Sequence, residues 1–271
     1  VLEVVKAVVF PVAGDGELRM EARGYGFRTS SLADDTRTSN NRLRFRRSDP
    51  NLIRAIKATV KVNSALATAC SGGAEVSQAR FRMGGYFFNA GGGEPGRASN
   101  DVLARIEVRR LSNDTVANRL NVRAVVYRCL DPDCNYFATL YNQTLGTTLV
   151  GQVSTLLLQW DPASNRFYFQ LNALPMVSYA YGFTDSAPPQ NYFDKKMIEI
   201  SHYIANCAAT QTQAFMSVNV DDVYVNTAAA VASATAKATL GATNSSAAQN
   251  VPVVEGFPEP EILIPEPDDM E

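Results

Sequence analysis

Leu156-Leu157-Leu158-Gln159-Trp160, then Asp161-Pro162-Ala163-Ser164-Asn165, then Arg166-Phe167-Tyr168-Phe169-Gln170-Leu171-Asn172: two strand-like runs are separated by five turn-forming residues. In the second run Phe167, Phe169 and Leu171 alternate with Arg166, Tyr168 and Gln170. That period of two belongs to a strand with one buried and one wet face. Pro162 fixes φ at the start of the turn, and Asn165 tolerates the left-handed conformation before the return strand. The stretch reads as an antiparallel hairpin.

Outward from it the same period recurs. Ile56, Ala58, Val60 and Val62 alternate with Lys57, Thr59 and Lys61. Val102, Ala104, Ile106 and Val108 alternate with Arg105, Glu107 and Arg109, and residues 121–127 continue the theme. Near the end of the strand-like region Met216, Val218 and Val220 share one parity while Val223 and Val225 take the other. A bulge at Asp221-Asp222 restores the face. Helical periodicity is weak before residue 226. Strands separated by turn residues favour an all-β, two-sheet antiparallel sandwich over an α/β fold.

The chain has 271 residues, 46% of them hydrophobic, and the apolar residues come in short runs. None approaches the roughly 20 continuous apolar residues of a membrane helix, so no membrane insertion is expected. Val1 to Val12 lack a basic leader region and a small-residue cleavage site and read as a strand of a mature protein. The organisation expected is an N-terminal strand and lead-in (1–41), a sandwich domain (42–226), an Ala/Thr/Ser-rich linker (227–250) and an acidic, Pro-rich tail (251–271). The tail carries five prolines and seven acidic residues around Ile262, Leu263 and Ile264.

The net charge of −2 conceals a division. Residues 1–128 hold 21 Lys and Arg against 12 Asp and Glu, and residues 129–271 hold 4 against 15. Such asymmetry suits head-to-tail association or intramolecular docking, or simply two solvated faces of opposite sign. The four cysteines divide into a close pair, Cys129 and Cys134 around a turn, and a distant pair, Cys70 and Cys207. A four-thiolate zinc site lacks its usual C-x2-C spacing. Two disulfides and an oxidising compartment are expected, which places the protein outside the cell or at its surface. Sequons stand at Asn113, Asn142 and Asn244.

The Trp160-Asp161 hairpin, its return strand to Asn172 and the closing run Val218 to Val225 resemble the concanavalin A-like lectin/glucanase jelly rolls. The segment Arg80-Phe-Arg-Met-Gly-Gly-Tyr-Phe-Phe-Asn89 fits the same family. The resemblance covers roughly residues 42–226 and rests on strand order and hairpin style. It implies two antiparallel sheets, one often concave, with a glycan or another polymer laid across the concave face. Glucanases of this family carry a Glu-x-Asp-x-x-Glu strand supplying nucleophile and acid. No such triplet occurs here, and no legume-lectin type metal loop is evident.

Tyr179, Tyr181, Phe183 and Tyr192 form an aromatic-rich loop that would stack on sugars if exposed, or cap one end of the core. Asp221 and Asp222 are candidate ligands for calcium, the one cofactor the residues suggest, or the solvated carboxylates of a bulge. Gly91 to Gly93 lack the Gly-Lys-Ser/Thr of a phosphate cradle and read as a loop. Arg42, Arg44 and Arg46 form an outward row suited to an anionic polymer or an acidic segment. Nucleic acid is disfavoured by the overall acidity and the compartment. His202 stands apart from any nucleophile signature and reads as a single surface or core histidine.

These readings lead to a non-enzymatic extracellular module that recognises a glycan or another surface polymer. The alternative is a self-assembling subunit, a homo-oligomer or homopolymer joined by strand donation or tail docking.

Overall fold

The computed structural model describes residues 2–9, 18–26, 38–44, 53–69, 76–92, 95–190, 196–205 and 212–226. They form thirteen strands and no helix. A seven-stranded sheet runs in the order β1 (Leu2–Val9), β2 (Leu18–Gly26), β13 (Thr212–Asn226), β4 (Ala55–Ala67), β9 (Val153–Asp161), β10 (Arg166–Leu171) and β11 (Val177–Ala180). A six-stranded sheet runs β3 (Thr38–Arg44), β12 (Lys196–Tyr203), β5 (Gln78–Asn89), β6 (Asp101–Leu111), β7 (Arg119–Cys129) and β8 (Phe137–Leu149). Every pairing between neighbours is antiparallel. The fold is an all-β, two-sheet jelly-roll sandwich. β1 and β2 extend one sheet, and β3 edges the other.

Alternation explains the layering. Ile56, Ala58, Val60 and Val62 of β4, Leu156 and Leu158 of β9 and Phe167, Phe169 and Leu171 of β10 are buried. They meet Phe81, Met83, Ile106, Val108, Val122, Ala124, Ile198 and Ile200 of the facing sheet in one continuous core. The opening hairpin forms as its turn residues dictate. Ala163 N–H donates to Asp161 Oδ1 at 3.0 Å, Ser164 Oγ donates to Asp161 Oδ2 at 2.6 Å, and Asn165 sits at φ 52°. The parity break in β13 is a bulge between Asp221 and Tyr224, with Asp222 at φ 48°.

Phe87, Phe88, Trp160, Phe167 and Tyr181 interlock at one end of the core, with Phe88 and Tyr181 centroids 4.9 Å apart. A smaller cluster of Tyr86, Ala98, Leu103 and Cys129 lies beside Tyr127 and Cys134. Leu103 and Tyr127 are paired across β6 and β7 at non-core positions. This second cluster therefore bounds one end of the six-stranded sheet's outer face. The disulfide between Cys129 and Cys134 closes the loop beside it.

Gly84 allows β5 to lie against β6. Its φ is +152°, and a Cβ there would meet the Ala104 carbonyl oxygen at 2.1 Å and Arg105 Cα at 2.8 Å. Both obstacles are backbone and cannot rotate away. Gly84→Ala is therefore expected to destabilise the fold by about 2 kcal/mol or more, from backbone strain of about 1–3 kcal/mol and displacement of β6. Urea midpoints of the two proteins would measure it.

Candidate functional site

The side of the six-stranded sheet away from the core is where chemistry collects. Alternation sends Arg80 and Arg82 of β5, Arg105, Glu107 and Arg109 of β6, Arg119, Asn121, Arg123 and Tyr127 of β7, and Glu199 and Ser201 of β12 to that outer face. Register then arranges them in rows. One row runs Glu199, Arg82, Glu107, Arg123, and the next Ser201, Arg80, Arg109, Asn121. On β3 the backbone register continues the first row at Arg42.

The first row alternates in sign, and each of its arginines pairs with a glutamate. Arg123 Nε donates to Glu107 Oε2 at 2.7 Å, and its Nη2 forms an ion pair with the same oxygen at 2.7 Å. Arg82 forms an ion pair with Glu199, and its Nη2 donates to Ser201 Oγ at 2.9 Å. Both carboxylates are buried, at 2% exposure for Glu107 and 1% for Glu199. The guanidiniums above them are partly open, with side chains 12% exposed for Arg82 and 15% for Arg123.

The second row has no carboxylate. Arg80 and Arg109 stand directly opposite one another across β5 and β6. Among the described residues neither side chain has a hydrogen bond or an ion pair, and both Nε atoms are buried without a partner. Arg119 Nε is in the same condition. Asn121, at the end of the row, donates from Nδ2 to Asp114 Oδ1 at 2.9 Å.

The electrostatics follow from this crowding. Burial alone would raise the Glu107 carboxyl, but Arg123, then Arg80, Arg82 and Arg105, outweigh it and hold the group at about 2. Burial, followed by neighbouring Arg80, lowers Arg82 to about 9 against the pull of Glu199. Burial lowers Arg80 against the opposing pull of Glu107 and Glu199, and burial followed by Arg123 lowers Arg109 against Glu107. Burial and then Glu107 raise the Tyr127 hydroxyl, so it is neutral at pH 7.

Glu107 and Glu199 do not form a hydrolytic pair. Arg82 lies between them, so their backbones are two strand spacings, about 10 Å, apart. Each is committed to a guanidinium, and Glu107 is too acidic to deliver a proton to a leaving group. Six guanidiniums on one face, those of Arg80, Arg82, Arg105, Arg109, Arg119 and Arg123, are left facing two glutamates. The arrangement can bind anions and stabilise negative charge.

The residues singled out from sequence lie elsewhere. Tyr181 is buried at 6% exposure, accepts a hydrogen bond from Trp160 Nε1 at 2.7 Å and donates to Asp185. Burial, then that bond to Asp185, raises its hydroxyl. Tyr179 stacks on Tyr141 at 5.1 Å, and Phe183 lies under the Arg128 guanidinium at 5.1 Å. These rings pack against the core, where a sugar has no access to Tyr181; Tyr192 lies outside the described residues. Asp222 is exposed, and its backbone N–H donates to Asp221 Oδ1 at 2.7 Å. Among the described residues no three His, Cys, Asp or Glu side chains gather as a metal site. Cys129 and Cys134 are bonded; Cys70, Cys207 and Arg46 lie outside the described residues. His202 is buried on the core side of β12, in line with Ile198 and Ile200. The partners in the arginine face that sequence reading missed are Arg80, Arg82, Arg119, Arg123 and Glu199. Their signal was present: the polar positions of three alternating strands are nearly all Arg or Glu.

No family model and no curated protein matches the chain. Solved structures do. A β-glucanase of Bacillus licheniformis matches at 11% identity and a TM-score of 0.29, covering 81% of this chain and 92% of its own. A glycoside hydrolase family 16 endo-glucanase from Bacteroides ovatus matches at 10% and 0.33, covering 82% and 94%. An alginate lyase from Klebsiella pneumoniae matches at 13% and 0.31, covering 64% and 59%. The resemblance to the concanavalin A-like jelly rolls stands, as a likeness of fold that transfers no reaction. The expectation of a non-enzymatic module, with self-assembly as its alternative, is corrected. It drew on that fold resemblance, and the matched structures are mostly carbohydrate-cleaving enzymes.

The Glu107 carboxyl, held at about 2 against an ordinary 4.5, stabilises the fold where it is ionised. That contribution, of about 3 kcal/mol, is fully present above the unfolded value and is lost as pH falls from about 4.5 towards 2. Glu107→Gln is expected to remove roughly 3 kcal/mol at pH 7, since it leaves Arg123 without its anion. It should also flatten the acid limb of a stability–pH profile measured by urea titration. A variant profile as steep as that of the parent would assign the acid sensitivity to another group.

Proposed function

We propose that the protein cleaves an anionic polysaccharide on the outer face of its six-stranded sheet, and that cleavage is eliminative. The observation that carries this is the sign of the face: six arginines surround two glutamates, both already bound within it. A neutral glycan offers such a surface nothing to neutralise. A polymer with a carboxylate on each sugar offers a regular row of charge-assisted, bidentate partners.

The same sign discriminates between reactions. Glycoside hydrolysis passes through an oxocarbenium-like state in which positive charge grows on the sugar, and it needs two cooperating carboxyl groups. A bank of guanidiniums opposes that charge. In elimination a base removes the proton from the carbon bearing the carboxylate, and negative charge grows on that carboxylate. Cations placed there stabilise it as it forms. The electron pair then makes a carbon–carbon double bond, the glycosidic bond to the neighbouring carbon breaks, and the departing oxygen takes up a proton. Tyr127, a neutral hydroxyl electrostatically coupled to Glu107, Arg123, Arg105 and Arg80, is suited to donate it. The Cys129–Cys134 disulfide supports an oxidising compartment, and extracellular glycan is where we place the substrate.

Incubation with polymannuronate, polyguluronate, polygalacturonate and a neutral β-glucan tests the proposal. At least one polyuronate should yield ultraviolet-absorbing unsaturated ends, and the glucan should yield no product. Reducing sugar released without that absorbance would replace elimination by hydrolysis. Failure to cleave any of the polyuronates would overturn the reading.

A further inference from the structure

The two rows of the outer face differ in one respect that bears on where an anion sits. In the row of Glu199, Arg82, Glu107 and Arg123 each guanidinium has a carboxylate beside it. In the row of Ser201, Arg80, Arg109 and Asn121 two guanidiniums are opposed with none between them. Like charges directly opposite on neighbouring strands destabilise a sheet. A buried donor without an acceptor adds to that cost. Arg80 Nε and Arg109 Nε are both such donors, and neither side chain has a protein partner among the described residues.

We propose that Arg80 and Arg109 form a subsite for one carboxylate of the polysaccharide, with Asn121 at one end. This inference rests on the reading of the substrate as an anionic glycan and adds the address of the charge. Two guanidiniums on adjacent strands, about 4.8 Å apart at the backbone, present parallel donor forks to one planar oxyanion. Its arrival places a negative charge between two like charges. The glutamate-bearing row serves a different end. Glu107 holds Arg123 and Glu199 holds Arg82, so that the unpaired row is left as the place for a ligand.

A pair that exists for a ligand has a signature that a structural pair does not. Removing Arg109 takes away the like charge opposite Arg80, whereas removing Arg80 also takes a cation from beside Glu107; either change removes the ligand's partner. Arg109→Gln should therefore melt at the parent temperature or above it and Arg80→Gln below it, and each should bind anionic oligosaccharide more weakly by roughly tenfold or more. Arg80→Lys and Arg109→Lys, which keep charge but lose the fork, should fall between. Lys61→Gln removes the same charge from an exposed position on the other sheet and should leave affinity within about twofold.

Titration calorimetry would use short oligomers of mannuronate, guluronate and galacturonate, with a sulfated oligogalactan to separate carboxylate from sulfate ester as the source of the anion. Weakened uronate binding in both Gln variants with an undiminished melting temperature in Arg109→Gln supports the subsite. It does so even if no polyuronate is cleaved, in which case the eliminative reading falls and the subsite stands. Parental affinity in both Gln variants would overturn the proposal, as would absence of uronate binding by the parent protein. A preference for the sulfated oligomer would overturn its assignment to carboxylate. A melting temperature that falls in Arg109→Gln would make the pair structural and overturn the subsite.

Discussion

Glu107 keeps a negative charge at a position where a solitary carboxylate would be protonated. The hydrogen-bonded ion pair with Arg123 and the fields of Arg80, Arg82 and Arg105 make this possible. A charge taken out of water has to be matched, or its group neutralises instead. The outer face of the six-stranded sheet is organised around that requirement. Glu199 repeats it with Arg82 one strand further on, and the four residues form a sign-alternating row across β12, β5, β6 and β7.

The row has this effect because the opposite face of the same strands is committed. Phe81, Met83, Ile106, Val108, Val122, Ala124, Ile198 and Ile200 are packed against the second sheet, which holds the strand register. A slip of one residue would turn the arginines into the core. Gly84 contributes by letting β5 approach the β6 backbone. At one end the cluster of Tyr86, Ala98, Leu103 and Cys129 covers the outer face, and the Cys129–Cys134 bridge closes the loop beside it. The arginines are therefore held on a rigid sheet between a glutamate row and an apolar boundary, and they need little reordering to meet a ligand.

Sheet layout leaves the reaction open. The jelly-roll frame supports any chemistry its outer face is given. Here the two glutamates are spent on positioning guanidiniums, and the surplus charge is positive. A reaction that accumulates negative charge on an anionic sugar agrees with that surface, whereas one that accumulates positive charge has to work against it.

Much of the frame was legible along the chain. Phe167, Phe169 and Leu171 alternate with polar neighbours, Asn165 takes its left-handed turn position, and the parity break in the last strand is a bulge at Asp221-Asp222. These are consequences of local periodicity and turn chemistry, which neighbouring residues determine by themselves. Even the outward positions of Arg105, Glu107 and Arg109 follow from the alternation in β6. The aromatic segment around Tyr181 was ambiguous, because whether a ring faces solvent or core depends on what packs over it. Tertiary packing placed Tyr181 against Trp160, Phe88 and Asp185. Which charges of the arginine face meet could not be read locally. Glu199 lies 117 residues from Arg82, and only the register between β12 and β5 makes them partners. Arg80 and Arg109 likewise become an opposed pair only when β5 and β6 align. Sequence determined which residues leave the core; the pairing of distant strands decided which charges meet, because electrostatic energy depends on distance in space and not along the chain.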